Sequence, residues 1–407
     1  MRALGKMGRL AKRWETPLTD AGVGLVVLLG LVAALSGGSA SAGSVASGAD
    51  HASTDAQRQQ ASAKPAPLPK PLDLVSVTPS NSASGVNGAD PVTVTFSSAL
   101  SPSTPLPKIS PAIAGSWQVS ADTATFTPQV GFSPQTTVTV TVPAGMKGVA
   151  SQGAAAPESA KAGSARFTTG SYSTARLQQL LAQLGYLPIT FHPSDGSGDV
   201  PSGDARAQLS AAYSAPSGWY SWNGSWPGEL EGQWKTGQDN TLDDGAIRAF
   251  ESVEGLTMDG QAGPDVWSHL LNAVAKDQKN PNGYVYALAT QGGSDENLQV
   301  WRNGKKILTT AANTGIPGAP TADGTYPVYD RLSYQVMQGT NPDGSTYADP
   351  VHWIAYFDGG DAIHGFQRAS YGWYQSVGCV EIPIPTAQWL WPYLTYGTLV
   401  TVQGPEA

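Results

Sequence analysis

Residues 363–380 read IHGFQRASYGWYQSVGCV and hold the only cysteine of the chain, Cys379, fifteen positions after His364. A thiol near neutral pH is mostly protonated, and a neighbouring imidazole can hold it as the thiolate of an ion pair, a nucleophile that needs no metal. Such a thiolate is expected to react with a thiol reagent faster than a free thiol does at mildly acidic pH. Gly378 stands immediately before it. With no side chain there, the backbone can turn sharply and aim successive N–H groups at a developing oxyanion. Cysteine, histidine and a glycine turn together point to acyl transfer. A second reading stays open on one Cys and one His alone, with His364 a satisfied core residue and Gly378 an ordinary turn.

The sequence around this stretch alternates as strands do. Tyr284, Tyr286 and Leu288 open a segment that continues through Leu298 and Val300 into Asn303-Gly304 and out to Ile307, a two-residue hairpin turn. Further strands fit Tyr326 to Tyr329, Ser333 to Met337, Val351 to Phe357 and Thr398 to Val402, so residues 282–404 read as a mostly β domain. Arg368, Tyr371, Trp373 and Tyr374 lie in the loop between His364 and Cys379, where a substrate must pass. Arg368 is the nearest candidate to receive a carboxylate, the alternative being a solvated loop charge. His352 reads as a packing residue, and the isolated His51, His192 and His269 as surface or packing residues. No P-loop, dinucleotide fingerprint or paired-His spacing occurs, and no metal or cofactor is implied.

Upstream, the period changes twice. Residues 73–170 alternate with period two, in Val92, Val94 and Phe96 and again in Val138, Val140 and Val142, with shorter runs at Trp117 to Val119, Thr123 to Thr127 and Ala165 to Thr169. This pattern predicts a small β-sandwich, free of His and Cys and suited to a spacer. Leu177, Leu180, Leu181 and Leu184 then recur at helical spacing between Thr174 as cap and Gly185 as stop. A second helix carries Ile247, Phe250 and Val253, and a third buries Trp267, Leu270, Leu271 and Val274. An insertion at 188–240 separates the first two and holds Trp219, Trp222, Trp226 and Trp234, which can either stack on sugar rings or anchor the loop by burial, the latter favoured.

The chain of 407 residues carries a net charge of -8 and lacks a general basic surface, which argues against nucleic acid as a partner. Its positive charge gathers at one end, in Arg2, Lys6, Arg9, Lys12 and Arg13. The apolar run Ala21 to Leu35 follows, shorter than the ~20 residues a spanning helix needs, and then Ala40-Ser41-Ala42. Residues 1–42 therefore read as a basic lead with a signal peptide cleaved after Ala42, or as a retained signal anchor, the only membrane contact expected. Residues 43–72 are rich in Ala, Ser, Gln and Pro and read as a disordered tether. Either way the body lies outside the cytoplasm.

Two resemblances sharpen this. Leu-Gln-Gln-Leu-Leu-Ala-Gln-Leu-Gly-Tyr at 177–186, with Gly255-Leu256 and Asp259-Gly260-Gln261-Ala262-Gly263 before Trp267, resembles the three-helix peptidoglycan-binding domain over 174–275, apart from the insertion. His364-Gly365 followed by Ser376-Val377-Gly378-Cys379-Val380, with Asn313-Thr314-Gly315 and Thr321 to Tyr326 upstream, resembles the L,D-transpeptidase catalytic domain over 282–404. That resemblance implies a cysteine that accepts a peptidoglycan stem peptide and passes it to an amine. It implies Cys379 as nucleophile, His364 as base and acid, Gly378 in the oxyanion hole, and Ser376, Val377 and Gly365 shaping the site. Many members of the family have His at the place of Val377 and Arg at that of Glu381. A second imidazole and a local cation are thus missing here, and Glu381 is expected to lower the local positive potential. The architecture expected is a multidomain chain: β-sandwich spacer, small three-helix domain, C-terminal mostly-β catalytic domain, with peptidoglycan as partner.

Overall fold

The computed structural model describes residues 71–150, 155–159, 161–196 and 198–404. The expected signal segment and all but the last two residues of the tether lie outside them. Those last two correct the tether's boundary: Leu72 is 1% exposed and belongs to the sandwich core. Among the described residues no helix is long and apolar enough to cross a membrane.

The sandwich is built from β1 (Leu74–Thr78), β2 (Val92–Phe96), β3 (Lys108–Ser110), β4 (Gly115–Ser120), β5 (Thr123–Pro128), β6 (Thr137–Val142) and β7 (Gly163–Thr168). One sheet runs β1-β2-β5-β4 and the other β3-β6-β7. The Val/Thr alternation sets the two faces. Val92, Val94 and Phe96 meet Val138, Val140 and Val142 in the core, each burial stabilising by about 1.5–3 kcal/mol, while the threonines between them are left towards solvent.

The helical region holds α1 (Thr174–Leu184), β8 (Ile189–Pro193), α2 (Ala205–Ala212), β9 (Gly218–Trp222), α3 (Gly228–Glu231), α4 (Thr241–Glu254) and α5 (Pro264–Ala275). The N-cap of α1 is Ser173, not Thr174: the Ser173 hydroxyl accepts from the Arg176 N–H at 3.2 Å, and Thr174 donates instead to Asp239 at 3.2 Å. Gly185 ends the helix as expected. Within the insertion β8 and β9 pair, Trp226 is buried, and Trp222 and Trp234 pack on the same core. Trp219 alone of the four is 60% exposed, stacked on His192 with ring centres 4.0 Å apart. Helix α2 also brackets the sandwich: Ser210 accepts from Asn87 at 2.8 Å, Arg206 donates to the Ala89 carbonyl at 3.3 Å and Tyr213 to that of Phe132 at 3.3 Å.

The C-terminal part comprises β10 (Val285–Thr290), β11 (Asn297–Arg302), β12 (Lys305–Ala311), β13 (Gly324–Pro327), β14 (Asp330–Thr340), β15 (Thr346–Asp358), β16 (Asp361–Gly365), β17 (Val380–Ile382), α6 (Ile384–Leu390) and β18 (Leu399–Gln403). They form a sheet of order β12-β11-β10-β18-β13 and a second of order β14-β15-β16-β17. The Asn303-Gly304 turn joins β11 to β12 with both residues at positive φ, as the hairpin reading required. Strand β10 is buried on both faces. Tyr286 and Leu288 share a core with the helices, while Val285, Ala287 and Ala289 share another with β16, β17 and α6. The helical region and the five-stranded sheet are therefore one packed body rather than two.

Candidate active site

Strands β16 and β17 are parallel neighbours, with Ile363 opposite Val380 and His364 opposite Glu381. One step back along that register Cys379 falls beside Ala362. Because side chains alternate along a strand, Ile363 and Val380 go into the core shared with α6, and His364, Cys379 and Glu381 share the opposite face. That face opens on a cavity of about 240 Å³, lined also by Arg368, Val377 and Ser376. A larger cavity of about 540 Å³ lies between the sandwich and the helices, lined by Asp239, Asp243, Asp244 and Trp267 and by no nucleophile of this kind.

The turn into Cys379 is fixed from three sides. The Ser376 N–H donates to the Thr314 carbonyl at 3.0 Å, the Ser376 carbonyl accepts from Ile316 at 2.9 Å, and the Ser376 hydroxyl donates to the Cys379 carbonyl at 2.5 Å. Gly378 has φ +115°, a conformation that side chains rarely adopt, and an added Cβ would stand 2.2 Å from Oδ1 of Asp361. The Asn313-Thr314-Gly315 segment is what this turn leans on. Asn313 exchanges backbone hydrogen bonds with Glu381 at 2.9 and 2.8 Å, and Gly315 donates to the Thr321 hydroxyl at 2.9 Å. Gly365 lets α6 approach, since a Cβ there would meet Ile384 Cα at 3.0 Å.

The acid–base state of the pair differs from the ion pair expected from the sequence. Cys379 is part-exposed at the cavity, yet burial of its sulfur pushes the thiol up to about 12; a hydrogen bond from the Ala362 backbone opposes this, and Asp361 and Glu381 add to it. His364 is 3% exposed, and burial moves its imidazole below the usual value against the pull of Glu381. A hydrogen bond with the Gly365 backbone also favours the protonated ring. Both shifts favour the uncharged form of the group, and the Cys379 Sγ reaches the Gly360 carbonyl at 3.8 Å.

The missing cation is supplied from the loop. Arg368 donates Nε to Glu381 Oε2 at 2.7 Å and Nη2 to Oε1 at 2.8 Å, reaches the Gln375 carbonyl at 3.2 Å, and lies over the Phe366 ring at 4.7 Å. It is therefore a paired group at the cavity, while at His364 and Cys379 the charge of Glu381 still lowers the local positive potential, as expected. Tyr371 braces the loop, donating to the Phe366 carbonyl at 2.6 Å and accepting from the Arg368 N–H at 3.2 Å. Trp373 and Tyr374 are exposed and do not line the cavity. Met337, Asn341, Tyr347 and Asp349 do, and they were missed because they come from the far end of the β14–β15 hairpin. The turn at Asn341-Pro342-Asp343-Gly344 was the signal that could have found them. His352 faces Gly365 across β15 and β16 and packs on Tyr334, as a packing residue should.

Residues 291–402 match the L,D-transpeptidase catalytic domain and residues 69–169 the bacterial Ig-like domain. No curated protein matches the chain. Among solved structures it is similar to an L,D-transpeptidase from Mycobacterium smegmatis, at 14% identity over 82% of this chain and 100% of that one, with a TM-score of 0.26. It is similar to L,D-transpeptidase 3 from Mycobacterium tuberculosis at 14% identity, 81% and 98% coverage and a TM-score of 0.27. The catalytic domain of the E. faecium L,D-transpeptidase matches at 27% identity over 29% of this chain and 96% of that one, with a TM-score of 0.27. Assignment rests on the two domain matches, by which the chain carries a bacterial Ig-like domain at 69–169 and an L,D-transpeptidase catalytic domain at 291–402.

Proposed function

We propose that the chain is a cell-wall L,D-transpeptidase that cross-links peptidoglycan stem peptides through a thioester on Cys379. The observation that carries this is the placement of Cys379 and His364 on one face of adjacent parallel strands, at one cavity, behind a glycine turn. As sulfur attacks the carbonyl before the terminal D-residue of a tetrapeptide donor, the thiol proton passes to His364. The C–N bond then breaks, His364 returns the proton to the departing amine, and the acyl group is left on sulfur. An acceptor amine attacks the thioester, His364 takes its proton, and the thiol is restored. Backbone N–H groups of the turn at Gly378 face the developing oxyanion in this reading.

The test is incubation of the purified protein with a disaccharide-tetrapeptide and mass analysis of the products. Cross-linked dimers support transpeptidation. Tripeptide without dimer means that water replaces the amine and the site is a carboxypeptidase. Unchanged substrate favours a non-catalytic wall-binding protein.

Export and wall binding complete the proposal. The chain acts outside the cytoplasmic membrane, so protease added to intact, wall-stripped cells is expected to digest it, and full protection overturns export. The helical region 174–275 grips peptidoglycan, supported by its family resemblance. Trp219 is the aromatic face free to stack on sugar. Trp219→Ala is expected to weaken sedimentation of the chain with purified sacculi at unchanged melting temperature.

A further inference from the structure

Glu381 is 5% exposed and stands directly across from His364 on the neighbouring strand, where strands lie about 4.8 Å apart. A carboxylate in such a place needs partners. Arg368 supplies two hydrogen bonds and the Asn313 amide a longer one at 3.5 Å. The residue across the register from Glu381 has the opposite problem. When His364 takes the Cys379 proton it becomes a cation in a site 3% exposed, where the Gly365 backbone favours it less strongly than Glu381 does. Something must hold that charge.

The charged and titratable groups around His364 come from every side of the cavity. Cys379 precedes β17, Arg368 comes from the loop, Tyr347 and Asp349 come from β15, and Asp361 on β16 has its carboxylate against Gly378 instead. Of these Glu381 acts most strongly in favour of a protonated His364, and Arg368 acts against it more weakly. The pair is therefore polar with respect to the imidazole. Its anionic member sits on the strand that faces His364, and its cationic member locks that anion in place.

We propose that Glu381 is a positioning residue for acyl transfer: clamped by Arg368, its carboxylate holds the imidazolium that His364 becomes when it takes the Cys379 proton. This rests on the acyl-transfer reading of Cys379. The gain falls after proton transfer begins. Negative charge leaves sulfur for the carbonyl oxygen as the bond forms, while the imidazolium stays beside Glu381 until it protonates the leaving amine.

The test follows acylation of the full chain by imipenem, read by mass spectrometry between pH 5 and 9, in wild type, Glu381→Gln and the double variant Glu381→Gln/Arg368→Gln. Because acylation needs His364 neutral at the start, the acid limb of the rate profile reports its titration. That titration is also followed by NMR, with His364→Gln used only to assign the signal. Loss of the carboxylate is expected to slow the plateau about tenfold and to move the acid limb and the NMR titration to lower pH. The shift should be larger in the single variant, where an unpaired Arg368 remains, than in the double. The double variant keeps two neutral, similarly shaped partners and decides the matter if the single one fails to fold. Slower acylation with an unmoved limb and an unmoved titration in the double variant means that Glu381 only supports the loop, and overturns the inference. If the wild-type protein forms no adduct, the acyl-transfer reading fails and the inference falls with it.

Discussion

A methyl group on Gly378 would overlap the Asp361 carboxylate and force φ +115° on a residue that resists it. Gly378→Ala is therefore expected to fold with a displaced turn and to lose acylation by about 10²- to 10³-fold, the scale of losing an oxyanion donor. Adding Asp361→Ala should relieve the overlap but not the backbone conformation, so mass-spectrometric acylation rates should recover only in part. The thiol gives a second prediction at this scale. With its pKa pushed up to about 12, Cys379 should be alkylated by iodoacetamide at pH 7 on the order of 10²-fold or more slowly than a free cysteine. The rate should climb about tenfold per pH unit, as thiolate fraction does. A fast rate that stays flat from pH 5 to 8 would instead show the ion pair. Linkage has the same origin. An unfolded thiol ionises near 8.5 while the folded one keeps its proton, so this group lowers stability as pH rises above about 8.5. The residues brought together at the cavity, Cys379 and His364, were legible in the chain because a lone cysteine and a glycine turn are local signals. The burial that shifts their acidities was not, because it is set by strands far away in sequence.

The hairpin of β14 and β15 is the element that closes the cavity. Gly339 and Tyr347 are cross-strand partners, and a Cβ on Gly339 would come within 2.6 Å of Tyr347 Cζ. Gly339→Ala should thus push the Tyr347 ring off its seat beside Cys379. The expected outcome is severalfold slower acylation with stability within about 0.5 kcal/mol of wild type, since the site is on the surface. Equal rates would mean that the ring does not help to form the cavity wall. Only the inner parts of these strands, near Ser333 to Met337 and Val351 to Phe357, could be read from alternation. Their outer halves alternate half-buried with exposed residues, but the half-buried side carries Gly339, Tyr347 and Asp349, so the apolar period that marks a strand is missing. The sandwich and the three principal helices were legible for the converse reason. Each has one buried, apolar face whose period shows in the sequence, whatever covers it.

At the scale of the whole molecule the deciding strand is β10, Val-Tyr-Ala-Leu-Ala-Thr. Reading only Tyr284, Tyr286 and Leu288 from it suggested one buried face and a separate domain. The residues between them are apolar too, the mark of a strand covered on both sides. Residues 174–275 expressed alone should consequently lack their platform and show little cooperative melting by circular dichroism, whereas 174–404 should melt in one transition. A stable, cooperatively folded 174–275 would contradict this. The shared strand has a further effect on how such a chain can change. Domains strung on a linker can be shuffled, duplicated or trimmed as cassettes, each keeping its own fold. Here a cut anywhere between α5 and β10 strips Tyr286 and Leu288 of their cover on one side and leaves Ala287 and Ala289 backed by a frayed strand on the other. The helices and the catalytic sheet must be inherited together.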